Sequence, residues 1–424
     1  MTKKSKKKLS EKSKPAVEVS KKQKAKMPKA KLKAEDKLKA KGKGKSESKS
    51  DTKGSVVKLL VGTRKGAWIL KSDGRRKDWS YSKPILFGCD INHFVANPYN
   101  QKIMIIAAKT GHLGPTVYRS SDGGKTFTEA SKPPAFPKSD DPKAKAVERV
   151  FCITPGHETE PGVWYAGTSP AGLFRSEDNG DTWAPVSGFN DNPMNAKWTE
   201  FGATPDGQFL HSVSIDPRDE NHMYLGISIG GVFETTDQGG TWHPLNKGVE
   251  ADFLPDATAE YGHDPHCIII SPKNPDRLYQ QNHCGFYTIE RPGDRWERVG
   301  LKMPKQIGDI GFPVITHPDD DKKAWVFPMD GTSVWPRTSP EGKPAVYGTK
   351  NAGKSWTRLD KGMPKDSAWW TVYRQGMTND TQPELGIYFG TSSGEIWGTR
   401  NEGDSWNCFA RHLPKIQSLS VCER

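Results

Sequence analysis

The chain has 424 residues, with 63 Lys and Arg against 50 Asp and Glu, and a formal net charge of +13. No apolar run approaches the length that crosses a bilayer and no apolar leader stands near the start, so neither a membrane-spanning helix nor a secretory signal is expected. The six cysteines (Cys89, Cys152, Cys267, Cys284, Cys408, Cys422) make no CxxC pair. A body of this size has core enough without disulfides, which predicts a reducing, cytoplasmic setting.

Residues 1–54 differ from all that follows. They hold 21 Lys, no Arg and no aromatic. Against six acids this gives +15, which leaves −2 for residues 55–424. High charge with little apolar surface predicts a disordered tail. Such a tail suits two roles, a solubilising tether or nonspecific, salt-sensitive contact with a polyanion. It lacks the aromatic platforms on which single-stranded nucleic acid stacks.

From residue 55 onward a short turn motif recurs. The clean copies run Ser120–Phe127, Ser176–Trp183, Thr235–Trp242 and Thr399–Trp406, with a fifth at Thr349–Trp356 and worn copies ending at Trp79 and Trp296. The closing aromatics, at 79, 127, 183, 242, 296, 356 and 406, lie 48 to 60 residues apart. A period of that size means a propeller or a solenoid. Asp122, Asp178, Asp237, Asn351 and Asn401 each follow a Ser or Thr by two residues. Their side chains can bond turn amides while Gly takes the positive-φ position, a structural role. The aromatic then opens the next strand and packs into the core.

Each repeat divides into four short strands. The first kind alternates and often ends in Pro, as in His211–Pro217, His266–Pro272, Phe312–Pro318 and Asn92–Pro98. Four strands per repeat predict an all-β fold, a seven-bladed propeller of four-stranded antiparallel blades over residues 55–424. The segment 58–63 matches a second strand, so blade one lacks its first. The segment Ile416–Val421 matches that missing strand and is expected to close the blade, which removes exposed edges.

The motif copies resemble Asp-box (BNR) repeats, found in sialidases, sortilin-type receptors and photosystem II assembly factors. The resemblance covers residues 55–424, implies the propeller fold, and implies that the boxes lie on the outer rim, away from the ligand face. It leaves function open, because sites are grafted onto folds. Sialidases carry an Arg-Ile-Pro segment, an arginine triad, a Tyr–Glu pair and an Asp acid. No Arg-Ile-Pro occurs here; Arg64, Arg149 and Arg374 are the residues available for a triad.

Propeller ligands sit at a mouth of the central channel. Set in register, the first-strand starts read Gln417, Asn92, Arg149, His211, His266, Phe312 and Trp370. The loops between second and third strands add Arg64, Lys109, His112, Ser169, Ser228, Asn282, His283, Asp330 and Ser392. Four histidines therefore fall at one mouth, with His263 just upstream. Three uses stand open for them. His211, His263, His266 and His283 can ligate a transition metal with Asp264 as ligand or supporting partner. They can act as acid and base. They can also be polar lining. The long connections 184–210 and 243–265 are expected to fold over the mouth. They bring Glu200, which with Asp264 or Asp330 can form the carboxylate pair of a glycosidase. The catalytic candidates are thus His211, His266, Glu200 and Asp264. Two functions follow: a binding or assembly module that grips a small molecule, glycan or protein at a His/Arg-lined mouth, or a glycoside hydrolase-like or metal-assisted hydrolase acting on a polar small molecule or glycan.

Overall fold

In the computed structural model, residues 55–142, 144–199, 207–331 and 337–423 are described. The Lys-rich segment and Glu200 lie outside them. The alternating segments pair into seven sheets, each of four strands. All strand pairs within the sheets are antiparallel, as short hairpin connections between consecutive strands require. The innermost strands are Ile416–Glu423, Asp90–Ala96, Arg149–Pro155, Leu210–Ile215, Pro265–Ile270, Gly311–His317 and Met377–Asn379. Each packs against the innermost strand of the next blade, and Met377–Asn379 returns to Ile416–Glu423, so the ring is closed.

Closure depends on chain ends that are far apart in sequence. Ile416–Glu423 pairs antiparallel with Val56–Thr63, setting Leu59 opposite Val421 and Val61 opposite Leu419. Without this strand, the N–H and C=O groups of Val56–Thr63 would face solvent as a sheet edge.

The core lies between blades. One cluster joins Tyr165 and Leu173 of blade three to Leu210, Leu225, Phe233 and Trp242 of blade four. The closing aromatics supply much of it, with Trp183, Trp242, Trp296 and Trp406 all buried. The turn before each aromatic is held by side chains. Asp178 Oδ1 accepts from the amides of Asp181 and Thr182, and Oδ2 accepts from the Thr182 hydroxyl at 2.6 Å. Ser176 Oγ accepts from the Gly180 amide, and Gly180 sits at φ +83° with Ile105 only 2.5 Å from where a Cβ would lie. Asn351 does the same work through its amide, which donates to Ser355 Oγ at 2.9 Å.

A further regularity bears on the site. In six of the seven blades the innermost strand slips register near its start. The unpaired residues are Gln417, Asn92, Phe151, His211, His266 and the pair Phe312–Pro313. A β-bulge of this kind kinks the strand and re-aims one side chain. Here four of the blades bring such a residue, Asn92, Phe151, Phe312 or Gln417, to one cavity.

Candidate functional site

That cavity has a volume of about 340 Å³. Bulge residues Asn92, Phe151, Phe312 and Gln417 line it, together with Arg64, Arg149, Phe209, Arg337, Thr371, Tyr373, Arg374, Gln375 and Lys415. Five of these side chains are cationic, and no Asp or Glu is among the described lining residues. Aromatic faces hold the cations in place. The Arg374 guanidinium lies 4.9 Å from the Phe209 ring centre and 4.6 Å from that of Phe312. The Lys415 ammonium lies 4.4 Å from the Tyr373 ring centre. Each such contact contributes about 0.5–2 kcal/mol, more as water is excluded. Arg64 reaches Asp90 at 3.6 Å, and Gln417 donates to the same carboxylate. Clustered cations in a concave, partly aromatic wall concentrate positive potential at the opening.

Beside this cavity lies a buried polar cluster built by blades four and five. Asp264, just before the strand Pro265–Ile270, is 4% exposed. Its Oδ1 accepts from Ser228 Oγ at 2.5 Å, and its carbonyl accepts from the His283 amide at 2.9 Å. Its Oδ2 faces His283 Nδ1 at 3.3 Å and His266 Nε2 at 3.5 Å. The other ring nitrogen of His266 donates to the Gly311 carbonyl at 2.7 Å. Burial works against the charge on Asp264. The close imidazoles of His266 and His283 and the nearby charge of Arg374 overcome it and hold the carboxyl well below the usual carboxylate range. At His266 and His211 the balance goes the other way. Burial, with Arg374 adding to it, outweighs the attraction of Asp264 and pushes both imidazoles below their ordinary pKa.

The expected site residues therefore separate. Arg64, Arg149 and Arg374 line the cavity. His211 and His266 are bulge residues but are buried, at 3% and 2% exposed, and do not line it. His211 Nδ1 bonds Ser212 Oγ at 2.8 Å, and among the described residues its Nε2 has no hydrogen-bond partner. His263 is fully buried and bonded to the Ala259 carbonyl of its own loop, so it stands apart from the Asp264 cluster. His112 is exposed on a 3-10 turn at Gly111–Leu113. Lys109 is paired in the sheet opposite Asp90. Asp330 is tied by its backbone to Thr338 and Arg337. Trp370 is a core residue packed on Phe389 and Trp397. The register assigned to blade seven thus needs correcting, since Tyr373, Arg374 and Gln375 reach the mouth and Trp370 does not.

The long connections also divide. Of the described part of 184–210, Phe209 lines the cavity, while the stretch around Gly188–Phe189 packs on the neighbouring blade. Phe189 packs against Trp242 with ring centres 6.0 Å apart, and Gly188 abuts the Gly239–Gly240 turn. The segment 243–265 does approach the buried cluster. Asp252 accepts from Cys284 Sγ, and Phe253 meets the His283 ring edge-on at 5.4 Å. Phe151, Phe209, Arg337, Tyr373, Gln375 and Lys415 were not singled out from the sequence. A β-bulge carries no composition signal, so alternation alone pointed to Arg149 as the turning residue of blade three.

No family model matches the chain. A probable oligoxyloglucan-reducing end-specific xyloglucanase of Neosartorya fischeri is 31% identical over 127 residues, which is 30% of this chain and 14% of that protein. The crystal structure of the GH74 xyloglucanase from Xanthomonas campestris superposes with a TM-score of 0.59 at 18% identity, over 83% of this chain and 52% of that one. A putative 6-phosphogluconolactonase from Bacteroides fragilis gives a TM-score of 0.51 at 10% identity, over 89% and 100%. The chain thus spans about half of the solved xyloglucanase and a small part of the curated one. At these identities the structural likeness is one of fold, that of the β-propeller.

Proposed function

We propose that the propeller is a binding module whose mouth grips a ligand or partner bearing carboxylate or phosphate groups. The observation that carries this reading is the convergence of Arg64, Arg149, Arg337, Arg374 and Lys415 on one cavity with no carboxylate among its described lining residues. Guanidinium groups match carboxylate and phosphate oxygens in pairs, which adds geometry to charge. Phe151, Phe209, Phe312 and Tyr373 offer apolar faces to the rest of the ligand. Calorimetric titration with an oligogalacturonide, with inorganic phosphate and with a neutral xyloglucan oligosaccharide tests the reading. The charged ligands should bind, more weakly as salt rises, and the neutral one should not. Equal binding of the neutral sugar would overturn it.

A second reading, a glycoside hydrolase, is favoured by the 31% identity to a probable xyloglucanase. It requires two carboxylates flanking the scissile bond. The buried Asp264 supplies one, and the described cavity lining supplies none. Release of new reducing ends from xyloglucan oligosaccharides would favour this reading over the first.

A further inference from the structure

The anion reading makes no use of the Asp264 cluster, whose geometry asks for an occupant of the opposite sign. The ligand atoms of Asp264, His266 and His283 lie within 4.8 Å of one another. Asp264 Oδ2 is 3.3 Å from His283 Nδ1 and 3.5 Å from His266 Nε2. A tetrahedral cation with bonds of about 2.0–2.2 Å sets its ligand atoms about 3.3–3.6 Å apart. The two measured distances fall at that spacing.

The hydrogen bonds around the cluster point the same way. A carbonyl only accepts, so the 2.7 Å contact with Gly311 places a proton on His266 Nδ1. The nitrogen left facing the carboxylate is Nε2. In a neutral ring that nitrogen is a lone pair directed at a second acceptor, 3.5 Å away. A cation between them turns this opposition into coordination. Metal-bound histidines characteristically donate their other N–H to a carbonyl or carboxylate, and metal-bound carboxylates are themselves hydrogen-bonded. Both features are present, the second as the Ser228 hydroxyl on Asp264 Oδ1. Phe253 and Phe312 stand against His283 and His266, with ring centres 5.4 and 4.8 Å apart, and give the cluster an apolar wall. One blade away, on the adjoining innermost strand, His211 keeps a buried Nε2 that has no hydrogen-bond partner among the described residues.

We propose that Asp264, His266 and His283 form a three-ligand site for a divalent transition cation of the zinc class. Two imidazoles and one carboxylate are a borderline donor set that suits such ions over magnesium or calcium. Three protein ligands leave a coordination position for water or for an oxygen of a bound ligand. Ser228 is a positioning residue that holds the carboxylate.

The full chain, without a histidine tag, is stripped with a chelator, dialysed and titrated with zinc against a chromogenic competitor. One equivalent should bind, with a rise in Tm. Cobalt in its place should give the visible absorption of a tetrahedral N/O site. The variant His283→Ala, at a half-buried loop position, should fold and lose cobalt absorption and zinc-dependent Tm rise. Ser228→Ala should weaken zinc by about 10–100-fold with the cobalt spectrum retained. His112→Ala, at an exposed position, should bind as the parent does. If zinc changes neither Tm nor competitor colour, the slot holds only a proton shared between His266 and Asp264, and the proposal falls. It falls too if His283→Ala binds as tightly as the parent. Ligand titrations at the mouth remain a separate readout, so either idea can fail alone.

Discussion

Arg76 and Asp380 form an ion pair of 2.7 Å with both side chains buried, and it joins blade one to blade seven. Asp380 is satisfied on all sides. Its Oδ1 accepts from the Gly386 amide, and its Oδ2 from Arg76 and from the Tyr388 hydroxyl at 2.7 Å. Arg76 also donates to the Glu384 carbonyl. The ring is therefore fastened at its seam by a polar bolt as well as by a strand.

Removing one half of that bolt leaves a buried charge without its partner. Asp380→Ala should cost about 3–5 kcal/mol of stability, read from the urea midpoint at constant slope. A loss below about 1 kcal/mol would mean that water reaches Arg76 and that the seam is looser than described.

The paired strand at the same seam gives a second test. A chain ending at Lys415 loses the partner of Val56–Thr63 and exposes Leu59 and Val61, both fully buried in the intact ring. It should aggregate or melt far below the parent. An unchanged melting curve would show that the ring closes without this strand.

Asp237 gives a pH-dependent contribution. Hydrogen bonds from Thr235 and from the Thr241 amide and hydroxyl draw its carboxyl down to about 2. The folded value lies below the ordinary one, so the stabilisation is present above pH 4 and is lost as pH falls toward 2. Asp237→Asn should therefore be less stable than the parent by about 1 kcal/mol near neutrality, a modest figure because the site is exposed. The gap should narrow below pH 4. A gap that is constant from pH 6 to pH 3 would rule out the charge as its source.

At the mouth, Arg149→Ala should leave the melting curve in place and weaken an acidic ligand by about tenfold or more, the equivalent of one charge-assisted hydrogen bond. The slope of affinity against salt should fall with it. Tight, salt-independent binding by the variant would remove Arg149 from the ligand contact.

The Lys-rich segment carries +15 against −2 for the rest. Deleting residues 1–54 should abolish retention on DNA-cellulose at low salt and leave the stability of the propeller unchanged. Equal retention of the shortened chain would place any polyanion contact on the propeller itself.

The architecture was legible because its signals are local. The Asp178 and Asp237 turns need only their own eight residues to form, and their spacing counts the blades. The likeness of Ile416–Val421 to other innermost strands was enough to anticipate closure. The mouth was harder to read. Alternation tells which residues of a strand face one side, but a bulge swaps the sides in mid-strand without changing composition. In blade three the residue left unpaired is Phe151. In blade seven the regular strand begins only at Met377, and the preceding segment buries Trp370 while Arg374 reaches the cavity. Strand register in the sequence already put His266, His283 and Asp264 near one another, but the Gly311 carbonyl that fixes the His266 ring comes from blade six, and no spacing along the chain expresses that.

The bulges have one more consequence. Each leaves one residue, or in blade six the pair Phe312–Pro313, outside the hydrogen-bonded ladder of its blade, so its side chain is decoupled from the pairing that holds the blade together. Asn92, Phe151, Phe312 and Gln417 stand at the cavity in this way, one from each of four blades. Phe151 and Phe312 can be varied like letters set in a fixed frame, and a library randomised at these two sites should keep its fold while sampling many ligand faces, whereas Asn92 and Gln417 also bond the neighbouring innermost strand and are held by it. The same arrangement lets the surface of the cavity change without rebuilding the ring.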